Sequence, residues 1–528
     1  MNSSSSATIA PTPANIGLRG WNVYFLAKFG LFWWETIGFH PLENLAFALT
    51  LLLPVKSVFW QRVRSVLAWP AAAVLLYYDS WLPPLGRAFS QANLLANFSP
   101  VYLTELAGRF VNPEIVALLI VIAAAYLILA HWLRIGVLVM LTLLSFALGV
   151  VPSGPTHAPA SNAGAGTSPE TQLSAFYARE ATRTVNFPKS TGKDEPFDLV
   201  FLHVCSLAWD DLQAMGLENH PLFARFDILL TRFNSVAAYS GPAAIRLQRA
   251  ACGQQSHANL YKPAPPACYL MDNLRQAGFE PSLALNHDGH FDDFLRFVQA
   301  QEGMAQAVPL ALDGVQVTQH SFDGSAIYDD SGVLNRWLET RSKAATPRMA
   351  LYYNTVSLHD GNRLSGEGAD ANSMTTFKLR LTRLLDDLDA FLQALEQSGR
   401  PAVVALVPEH GAAVRGDRMQ IAGLREIPSP SVTLVPVGIK VIGPDVRRSG
   451  PAVRVDTPTS FLALSEIMAR MVARSPFTAG QFAAIDYAGE LPETSFVAEN
   501  EGAIVMQTEA GFMLKQGTGD WSSYKLSP

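Results

Sequence analysis

The stretch from Asp198 to Val204 constrains the fold of this chain more than any other segment. Its sequence, Asp-Leu-Val-Phe-Leu-His-Val, carries apolar side chains at both odd and even positions. A strand that is apolar on both faces has to be buried on both, which is typical of a central strand in a parallel sheet covered by helices. Open α/β sheets place their chemistry at the carboxyl ends of such strands. The segment therefore predicts an α/β domain with Cys205 at a candidate site.

Strand-like and helix-like segments alternate through residues 195–528. Apolar strand-like runs lie at 198–204, 279–285, 348–356 and 402–407, and helical patterns lie at 209–215, 269–277, 333–343 and 375–397. This alternation predicts a mostly parallel central sheet with helices on both faces. Short β-like runs between glycines after residue 480 predict a small antiparallel appendage at the C-terminal end.

A high apolar content distinguishes the chain before residue 152. Five mostly apolar segments carry the excess: 21–37, 42–55, 65–78, 115–130 and 135–151. Each approaches the length of a helix that crosses roughly 30 Å of hydrocarbon. They predict about five transmembrane helices, and a buried helical bundle is the alternative. A cleaved signal peptide is disfavoured because the first ten residues carry no positive charge.

Basic residues predict the orientation of these segments, because Lys and Arg stay on the cytoplasmic side. With the N-terminus inside, the cytoplasmic segments hold Arg19, Lys56, Arg62, Arg64 and Arg134. The opposite side holds Arg87 and Arg109. This distribution predicts that everything after residue 152 lies outside the cytoplasm.

A stretch rich in Pro, Gly, Ala and Ser at 152–169 predicts a flexible tether. The predicted organisation is a transmembrane domain at 1–152, a linker with a short connecting helix at 153–194, and an exported domain at 195–528. The formal net charge is −6, and no block of like charge occurs in the chain. Nucleic acid is therefore not an expected partner.

A second candidate strand end lies close to an acid and an imidazole. Glu409, His410 and Gly411 follow the apolar run 402–407 almost directly. Thiolate, imidazole and carboxylate are ligands that zinc accepts together, so Cys205, Glu409 and His410 predict a zinc site. The alternatives are a solvated Glu-His loop and a thiol that serves as a small buried apolar group.

Cysteine usage supports a special role for Cys205. The chain has three cysteines, and an exported domain oxidises those that can pair. Cys252 and Cys268 flank a proline-containing loop, and their pairing would leave Cys205 as the odd thiol. Loop closure of this size stabilises a domain by roughly 3 kcal/mol.

Three further polar segments offer catalytic groups. Ser240 lies between Tyr239 and a Gly-Pro turn, where a helix N-terminus would attract an anion such as phosphate; its alternative role is a helix cap. His359 follows another strand-like run and could orient a phosphate or move a proton, or be structural. The segment 287–293 is rich in His and Asp and could hold a second ion or form a hydrogen-bonded polar loop.

These motifs, in this order, resemble the BcsG family, the phosphoethanolamine transferases of bacterial cellulose secretion systems. The resemblance covers most of the chain. It rests on the apolar segments, the linker and four motifs: Val-Cys205-Ser-Leu-Ala-Trp-Asp-Asp, Tyr239-Ser240-Gly-Pro, Leu-His359-Asp-Gly-Asn and Pro-Glu409-His410-Gly. It implies the alkaline phosphatase and sulfatase superfamily fold in an exported domain anchored in the bacterial inner membrane.

The resemblance also implies roles for individual residues. Zinc would be held by Cys205, Ser240, Glu409 and His410, with Ser240 as the nucleophile. Tyr239, His359 and Arg425 would contact the phosphoryl group. The site departs from the wider superfamily because Cys205 stands where an acid is usual and Glu-His-Gly replaces Asp-His-Gly. These departures imply one zinc ion rather than two.

The implied reaction takes phosphoethanolamine from phosphatidylethanolamine, through a covalent serine intermediate, to glucose 6-hydroxyls of cellulose, next to a cellulose synthase complex. Two alternatives stay open from the sequence. One is a phosphoethanolamine transferase acting on lipid A or another envelope glycan, or a phosphodiesterase that gives the group to water. The other is a scaffold subunit without catalytic activity.

Overall fold

The described residues fall into two compact units, each with its own hydrophobic core. The computed structural model describes residues 17–34, 36–80, 98–109, 113–150, 168–188, 195–366, 371–477, 481–517 and 519–526. The first unit comprises Met1–Gly86 and Phe110–Asn162, and the second comprises Arg87–Arg109 and Ala163–Pro528. Nearly all of the predicted tether at 152–169 lies outside the described residues.

The described part of the first unit is helical. Its helices are Trp21–Trp33, Pro41–Leu52, Val58–Asp79, Pro113–Leu129 and Ile135–Ala147. Aromatic and aliphatic side chains such as Phe25, Phe29 and Phe146 form its core. Lys28 and Asp79 form an ion pair within it. The predicted helices therefore exist, but their packed interior contains charge.

The prediction that these helices cross a membrane is wrong for the part of the chain that the structure describes, where no helix is both long and apolar enough. A membrane-spanning helix needs about 20 consecutive, mainly apolar residues. Four of the helices contain only 12 to 17 residues. The helix Val58–Asp79 contains 22 residues but includes Arg62 and Arg64. The helix in the predicted segment 42–55 ends at Leu52, because Leu53 precedes Pro54 and leaves the helical conformation.

The second unit is built on a seven-stranded sheet. The strands of the described residues are β1 (Asp198–Val204), β2 (Ile228–Asn234), β3 (Glu280–Leu285), β4 (Val317–His320), β5 (Ala326–Tyr328), β6 (Met349–Thr355), β7 (Arg363–Leu364), β8 (Ala402–Leu406), β9 (Leu434–Ile442), β10 (Val453–Val455), β11 (Val497–Glu499), β12 (Ala503–Thr508), β13 (Gly511–Gln516) and β14 (Ser522–Tyr524). The order of strands in the large sheet is β10-β2-β9-β8-β1-β6-β3. In this sheet β9 runs antiparallel to both of its neighbours, and the other adjacent pairs are parallel. The sheet is therefore mixed, with β9 as its antiparallel member.

Helices cover both faces of this sheet. The α-helices of the second unit are Pro100–Arg109, Pro169–Glu180, Trp209–Met215, Pro221–Ala224, Ser240–Gln248, His257–Leu260, Leu270–Gln276, Phe294–Gln299, Asp330–Lys343, Ser373–Ser398, Pro430–Thr433, Phe461–Ala473 and Ala484–Ala488. Alternate residues of β1 enter opposite cores: Leu199 and Phe201 pack on one face, and Val200 and Leu202 on the other. The predicted α/β arrangement is confirmed for this unit.

Local signals fix the longest helix close to its predicted bounds. The helix Ser373–Ser398 begins where the Asn372 side chain accepts a hydrogen bond from Thr375 N at 2.8 Å. It ends at Gly399, which has a φ of 64° that favours glycine. At the C-terminal end, β11 to β14 form the predicted antiparallel appendage as a four-stranded sheet.

The structure contains the predicted disulfide and the predicted unpaired cysteine. Cys252 and Cys268 form a disulfide. Cys205 is a free thiol and is fully buried.

The fold brings distant segments to one edge of the sheet. Strands β8, β1 and β6 are adjacent and parallel, so their carboxyl ends meet at the same edge. Cys205 directly follows β1, Glu409 and His410 follow β8, and His359 follows β6. This edge is where the candidate site forms.

Candidate metal and catalytic site

Three buried side chains meet at the carboxyl edge of the sheet: Cys205, Glu409 and His410. Each offers one potential ligand atom, and these atoms lie within 4.8 Å of one another. Backbone hydrogen bonds hold the two loops together, since Glu409 N donates to the Val204 carbonyl at 2.8 Å and Leu207 N donates to the His410 carbonyl at 2.6 Å. The predicted ligand residues are therefore neighbours.

The His410 ring presents Nε2 to this cluster. Its Nδ1 lies 2.9 Å from the carbonyl oxygen of Gly411, and a carbonyl oxygen can only accept. A proton on Nδ1 would be donated to this carbonyl and would leave a lone pair on Nε2, whereas Arg425 Nη1, which can only donate, lies 3.1 Å from the same Nδ1. Nε2 lies 3.9 Å from Cys205 Sγ. Burial and the charge of Arg425 lower the pKa of His410 well below its usual value, so the ring is neutral.

The buried surroundings of Glu409 and Cys205 both disfavour a negative charge, which a bound cation would stabilise. Glu409 is fully buried, and its Oε2 has no hydrogen-bond partner among the described residues. Burial and the Glu409 carboxylate raise the pKa of the Cys205 thiol to about 12. A buried carboxylate with a bare oxygen is costly unless a positive charge pairs with it. Sulfur, imidazole nitrogen and carboxylate oxygen together suit zinc, so these residues fit that metal.

A hydrogen-bond chain behind Glu409 fixes its other oxygen. Asn354 Nδ2 donates to Glu409 Oε1 at 2.6 Å, and His287 Nε2 lies 2.9 Å from Asn354 Oδ1. Gly289 N donates to His287 Nδ1 at 3.1 Å, so Nε2 carries the proton and donates to the amide oxygen. Partners of this kind orient metal ligands and hold them ready.

The segment 287–293 takes the hydrogen-bonded form of its two predicted alternatives. Among the described residues it does not assemble a second group of three potential metal ligands. His290 Nδ1 lies 2.5 Å from Asp288, and its Nε2 lies 3.0 Å from Asp323. His287 instead supports Glu409 through Asn354.

We expect Asn354→Ala to weaken zinc binding by about 10- to 100-fold, the usual loss when a partner of a metal ligand is removed. Glu409 would lose the donor that fixes Oε1 while its backbone stays in place. A competition titration of the full chain against a chromophoric chelator measures the affinity. Asn234→Ala is the matched control, because this buried amide bonds to Val497 and Val236 instead. Equal zinc affinities in the two variants would contradict the role of Asn354.

Ser240 begins the helix Ser240–Gln248 and points its hydroxyl at the cluster. Its Oγ lies 3.4 Å from Cys205 Sγ. Tyr239 is the N-cap residue of this helix, and no side chain makes a capping hydrogen bond. The alternative role of Ser240 as a cap is therefore not what the structure contains. A helix N-terminus also presents N–H groups and a positive dipole end to an anion.

Arg425 supplies a fixed positive charge beside the cluster. The side chain is buried, with Nη1 at 3.1 Å from His410 Nδ1 and donating to Ser206 Oγ at 3.2 Å. Its guanidinium lies 5.7 Å from the centre of the Tyr239 ring. The Tyr239 hydroxyl donates to Glu426 at 2.6 Å. Tyr239 and Arg425 therefore hold each other next to Ser240.

His359 is neutral and has a free acceptor nitrogen. Its Nδ1 donates to the main-chain carbonyl of Asp360 at 2.7 Å, which leaves a lone pair on Nε2. Burial and the charge of Arg425 lower the pKa of His359 to about 4. The ring can therefore accept a proton at neutral pH.

One cavity brings these groups together. Its lining includes Tyr239, Ser240, His359 and Arg425, and also Asp288, Asp292, Phe291 and Phe322. Asp292 Oδ2 lies 3.7 Å from the point that a Cβ on Gly241 would occupy. The cavity lining thus includes one arginine, two aspartates and two phenylalanine rings.

Two buried polar residues of the site were missed by sequence reasoning. His203 Nε2 lies 3.8 Å from Glu409 Oε1 and has no hydrogen-bond partner among the described residues. His203 precedes Cys205 by two positions and so shares its face of the strand, which was an available signal. Asn354 offered a weaker signal, because an amide at a strand end is common in loops.

Comparisons with known proteins agree with the arrangement of motifs. Residues 155–521 match the family model described as the C-terminal domain of cellulose biosynthesis protein BcsG, and residues 21–148 match that of its N-terminal domain. The chain is 41% identical over 543 aligned residues to the BcsG proteins of Salmonella typhimurium and of Escherichia coli, covering 96% of this chain and 96% of each relative.

A solved structure of an alkaline phosphatase superfamily protein from Vibrio parahaemolyticus is also similar, with a TM-score of 0.48 and 15% identity over 68% of this chain and 88% of that chain. The family matches together extend over most of the chain. This chain belongs to the BcsG family of cellulose biosynthesis proteins.

Proposed function

We propose that this chain is a zinc-dependent phosphoethanolamine transferase. It moves phosphoethanolamine from phosphatidylethanolamine, through a covalent adduct on Ser240, to glucose 6-hydroxyls of cellulose. The observation that carries the proposal is the position of Ser240 Oγ, 3.4 Å from Cys205 Sγ and at the start of a helix. Membership of the BcsG family supports a role in cellulose biosynthesis.

In this proposal Cys205, Glu409, His410 and Ser240 would hold one zinc ion. When bound, the ion would lower the pKa of the serine hydroxyl, and Ser240 Oγ would then act as the nucleophile near neutral pH. Arg425 and the N–H groups at the helix start stabilise the negative charge that grows on the phosphoryl oxygens. Tyr239 keeps Arg425 in place through the contact between ring and guanidinium.

The proposed reaction has two steps. First, Ser240 Oγ forms a bond to phosphorus, the bond from phosphorus to the glycerol oxygen breaks, and diacylglycerol leaves with the serine proton. Second, a glucose 6-hydroxyl attacks the same phosphorus while the bond to Ser240 Oγ breaks. His359 Nε2 accepts the proton of the attacking hydroxyl, and this proton returns to Ser240.

The charges around the cavity suit a zwitterionic headgroup. Arg425 and Ser240, at the helix start, line the cavity and would bind the phosphate. The carboxylates of Asp288 and Asp292, with the rings of Phe291 and Phe322, supply anionic and aromatic surface for an ammonium group. These features support phosphoethanolamine as the transferred group.

The disulfide supports action in an oxidising compartment. Cys252 and Cys268 are bonded, and such bonds persist outside the reducing cytoplasm. We therefore place residues 195–528 in the periplasm, beside a cellulose synthase complex as partner. The boundary after 1–152 and the linker at 153–194 remain part of this proposal.

The experiment that tests the proposal is mass spectrometry of the zinc-loaded full chain after exposure to phosphatidylethanolamine vesicles. One phosphoethanolamine on the peptide that contains Ser240 is expected, together with released diacylglycerol. Adding cellulose oligosaccharides should remove the adduct and yield the modified sugar. Bound zinc with an unmodified Ser240 peptide would overturn the proposal.

The same measurement separates the alternatives that the sequence left open. A serine adduct that discharges to lipid A but not to cellulose oligosaccharides would identify another envelope glycan as the acceptor. A chain that binds neither zinc nor the donor would point to a scaffold subunit.

The pH dependence of transfer should reflect the low pKa of His359. The pKa is lowered to about 4, so the neutral, proton-accepting form predominates above that pH and is lost as the pH falls through it. We therefore expect kcat to show no loss from His359 between pH 7 and 5. His359→Gln should lower kcat by roughly 10²- to 10⁴-fold across this range. A fall in kcat below about pH 6.5, with zinc content unchanged, would contradict the role of His359 as the proton acceptor.

A further inference from the structure

Residues 98–109 belong to the second unit although they precede its main part by more than 50 positions in the chain. They contain the helix Pro100–Arg109. Ser99 N donates to the carbonyl of Phe322 at 3.0 Å, and Phe98 contacts the Phe322 ring edge to face at 4.9 Å. Phe322 lines the cavity beside Ser240. This early segment therefore supports the wall of the site.

The Asp360 carboxylate is the main anchor of this helix. Arg109 donates to both of its oxygens, with Nη1 at 2.6 Å and Nη2 at 2.8 Å. Tyr102 donates its hydroxyl at 3.0 Å and Ser373 at 2.6 Å. Burial alone would raise the pKa of Asp360, but Arg109 holds it well below the usual range. The carboxylate is thus an ion held by a bidentate pair, the most directional kind of ion pair.

Asp360 also holds His359. Its main-chain carbonyl accepts the proton of His359 Nδ1 at 2.7 Å, which fixes the tautomer that leaves Nε2 free. The next residue, Gly361, has a φ of 84°, and a Cβ there would lie 2.6 Å from Phe322 and 2.9 Å from Tyr102. The turn that carries His359 therefore lies directly against the helix.

The same arginine touches the loop that leads to Arg425. A Cβ on Gly423 would lie 2.5 Å from Arg109 Nη1, so this backbone and the guanidinium are in close contact. Glu105 pairs with Arg363 on the other side of the turn and accepts from Arg109 Nη2 at 2.6 Å. The helix thus contacts the two loops that bring His359 and Arg425 to the cavity.

We propose that Arg109 and Tyr102 are positioning residues that act through Asp360 to hold His359, and that the helix Pro100–Arg109 is a required part of the site. This inference rests on the proposed function for its kinetic readout. Its structural basis is the set of contacts to Asp360, which does not depend on the substrate. A misplacement of about 1 Å at a catalytic group can cost about 10²-fold in rate.

The test uses full-length variants and a chromogenic aryl ester of phosphoethanolamine. Arg109→Ala should lower kcat by about 10²-fold, with KM and zinc content near those of the wild type. Arg109→Lys should restore part of the loss. In a variant that already carries Asp360→Asn, Arg109→Ala should cause little further loss of kcat, because the effects of residues that act through one partner are not additive. Arg225→Ala, which removes an ion pair with Asp389 and Glu396 elsewhere, is the control.

Amide hydrogen exchange gives a readout that does not need activity. Faster exchange is expected at 359–363 in Arg109→Ala, with no change in β8. If Arg109→Ala fails to fold, Tyr102→Phe removes one hydrogen bond to Asp360 and should lower kcat by roughly 3- to 10-fold.

A wild-type kcat together with unchanged exchange at 359–363 in these variants would overturn the inference. The inference would also be overturned if the losses of kcat caused by Arg109→Ala and Asp360→Asn were fully additive. If the wild type does not turn over the ester, the proposed function fails, and the exchange measurement still decides the role of Arg109.

Discussion

Replacing Ser240 with alanine is expected to lower kcat for phosphoethanolamine transfer by about 10⁴-fold or more, the scale seen when an enzyme loses its nucleophile. Ser240 Oγ is the hydroxyl that combines contact with Cys205 Sγ at 3.4 Å, a helix N-terminus and a place in the cavity wall. Without it no covalent adduct can form. Mass spectrometry should show no phosphoethanolamine on the peptide, and kinetics should show no burst.

Ser206→Ala is the matched control for this prediction. Ser206 Oγ also lies 3.4 Å from Cys205 Sγ, and it accepts a hydrogen bond from Arg425. Its loss should cost about 10-fold or less, the scale of one hydrogen bond. Ser240→Ala should keep the other proposed zinc ligands, Cys205, Glu409 and His410. An adduct elsewhere in the chain, or near-normal turnover by Ser240→Ala, would rule out the covalent route.

Replacing Cys205 with alanine is expected to remove zinc and activity together. In the proposed site the thiol is the sulfur ligand, and without it Glu409 and His410 would remain as a buried carboxylate and a neutral imidazole. The loss of affinity should exceed about 10²-fold, the upper end of what removal of a ligand's partner costs. Metal analysis after dialysis, followed by titration with zinc, measures this loss. Activity should return only at zinc concentrations far above those that saturate the wild type.

Two further variants sharpen this test. Replacing both Cys252 and Cys268 with serine removes sulfur remote from the site and should leave zinc affinity unchanged. Cys205→Asp keeps a charged ligand but substitutes hard oxygen for soft sulfur, which should shift preference away from zinc and toward magnesium or manganese. Stoichiometric zinc of unchanged affinity in Cys205→Ala would refute the predicted ligand set.

Sequence patterns predicted the second unit well where local signals were strong. The predicted strand 198–204 coincides with β1, because unbroken apolar residues bounded by charge have little alternative to a central strand. The amphipathic pattern at 375–397 corresponds to the helix Ser373–Ser398, because Asn372 caps its start and Gly399 ends it. Apolar patterns before residue 152 led to a wrong prediction of membrane-spanning helices. The described helices there are too short, or contain charged residues.

The candidate site was predictable where it lies at strand ends. Cys205 follows β1 directly, and Glu409 and His410 follow β8 within four residues, so parallel pairing alone brings them together. His287 was noticed, but its role was not, because the chain from His287 through Asn354 to Glu409 joins three separate strands. A hydrogen-bond chain of this kind leaves no spacing signal in the sequence.

By itself the sequence determined that a buried strand ends at a free thiol, that Cys252 and Cys268 can pair, and that the acid and imidazole of Glu409 and His410 stand at another strand end. These features depend on neighbouring residues and on side-chain period, which are local. Only the tertiary structure decided that Arg109 bonds to the Asp360 carboxylate across 251 positions and that His359 Nδ1 bonds to the Asp360 carbonyl, which leaves Nε2 with a lone pair. Such contacts depend on how helices pack against loops, and packing is a property of the whole fold rather than of any segment.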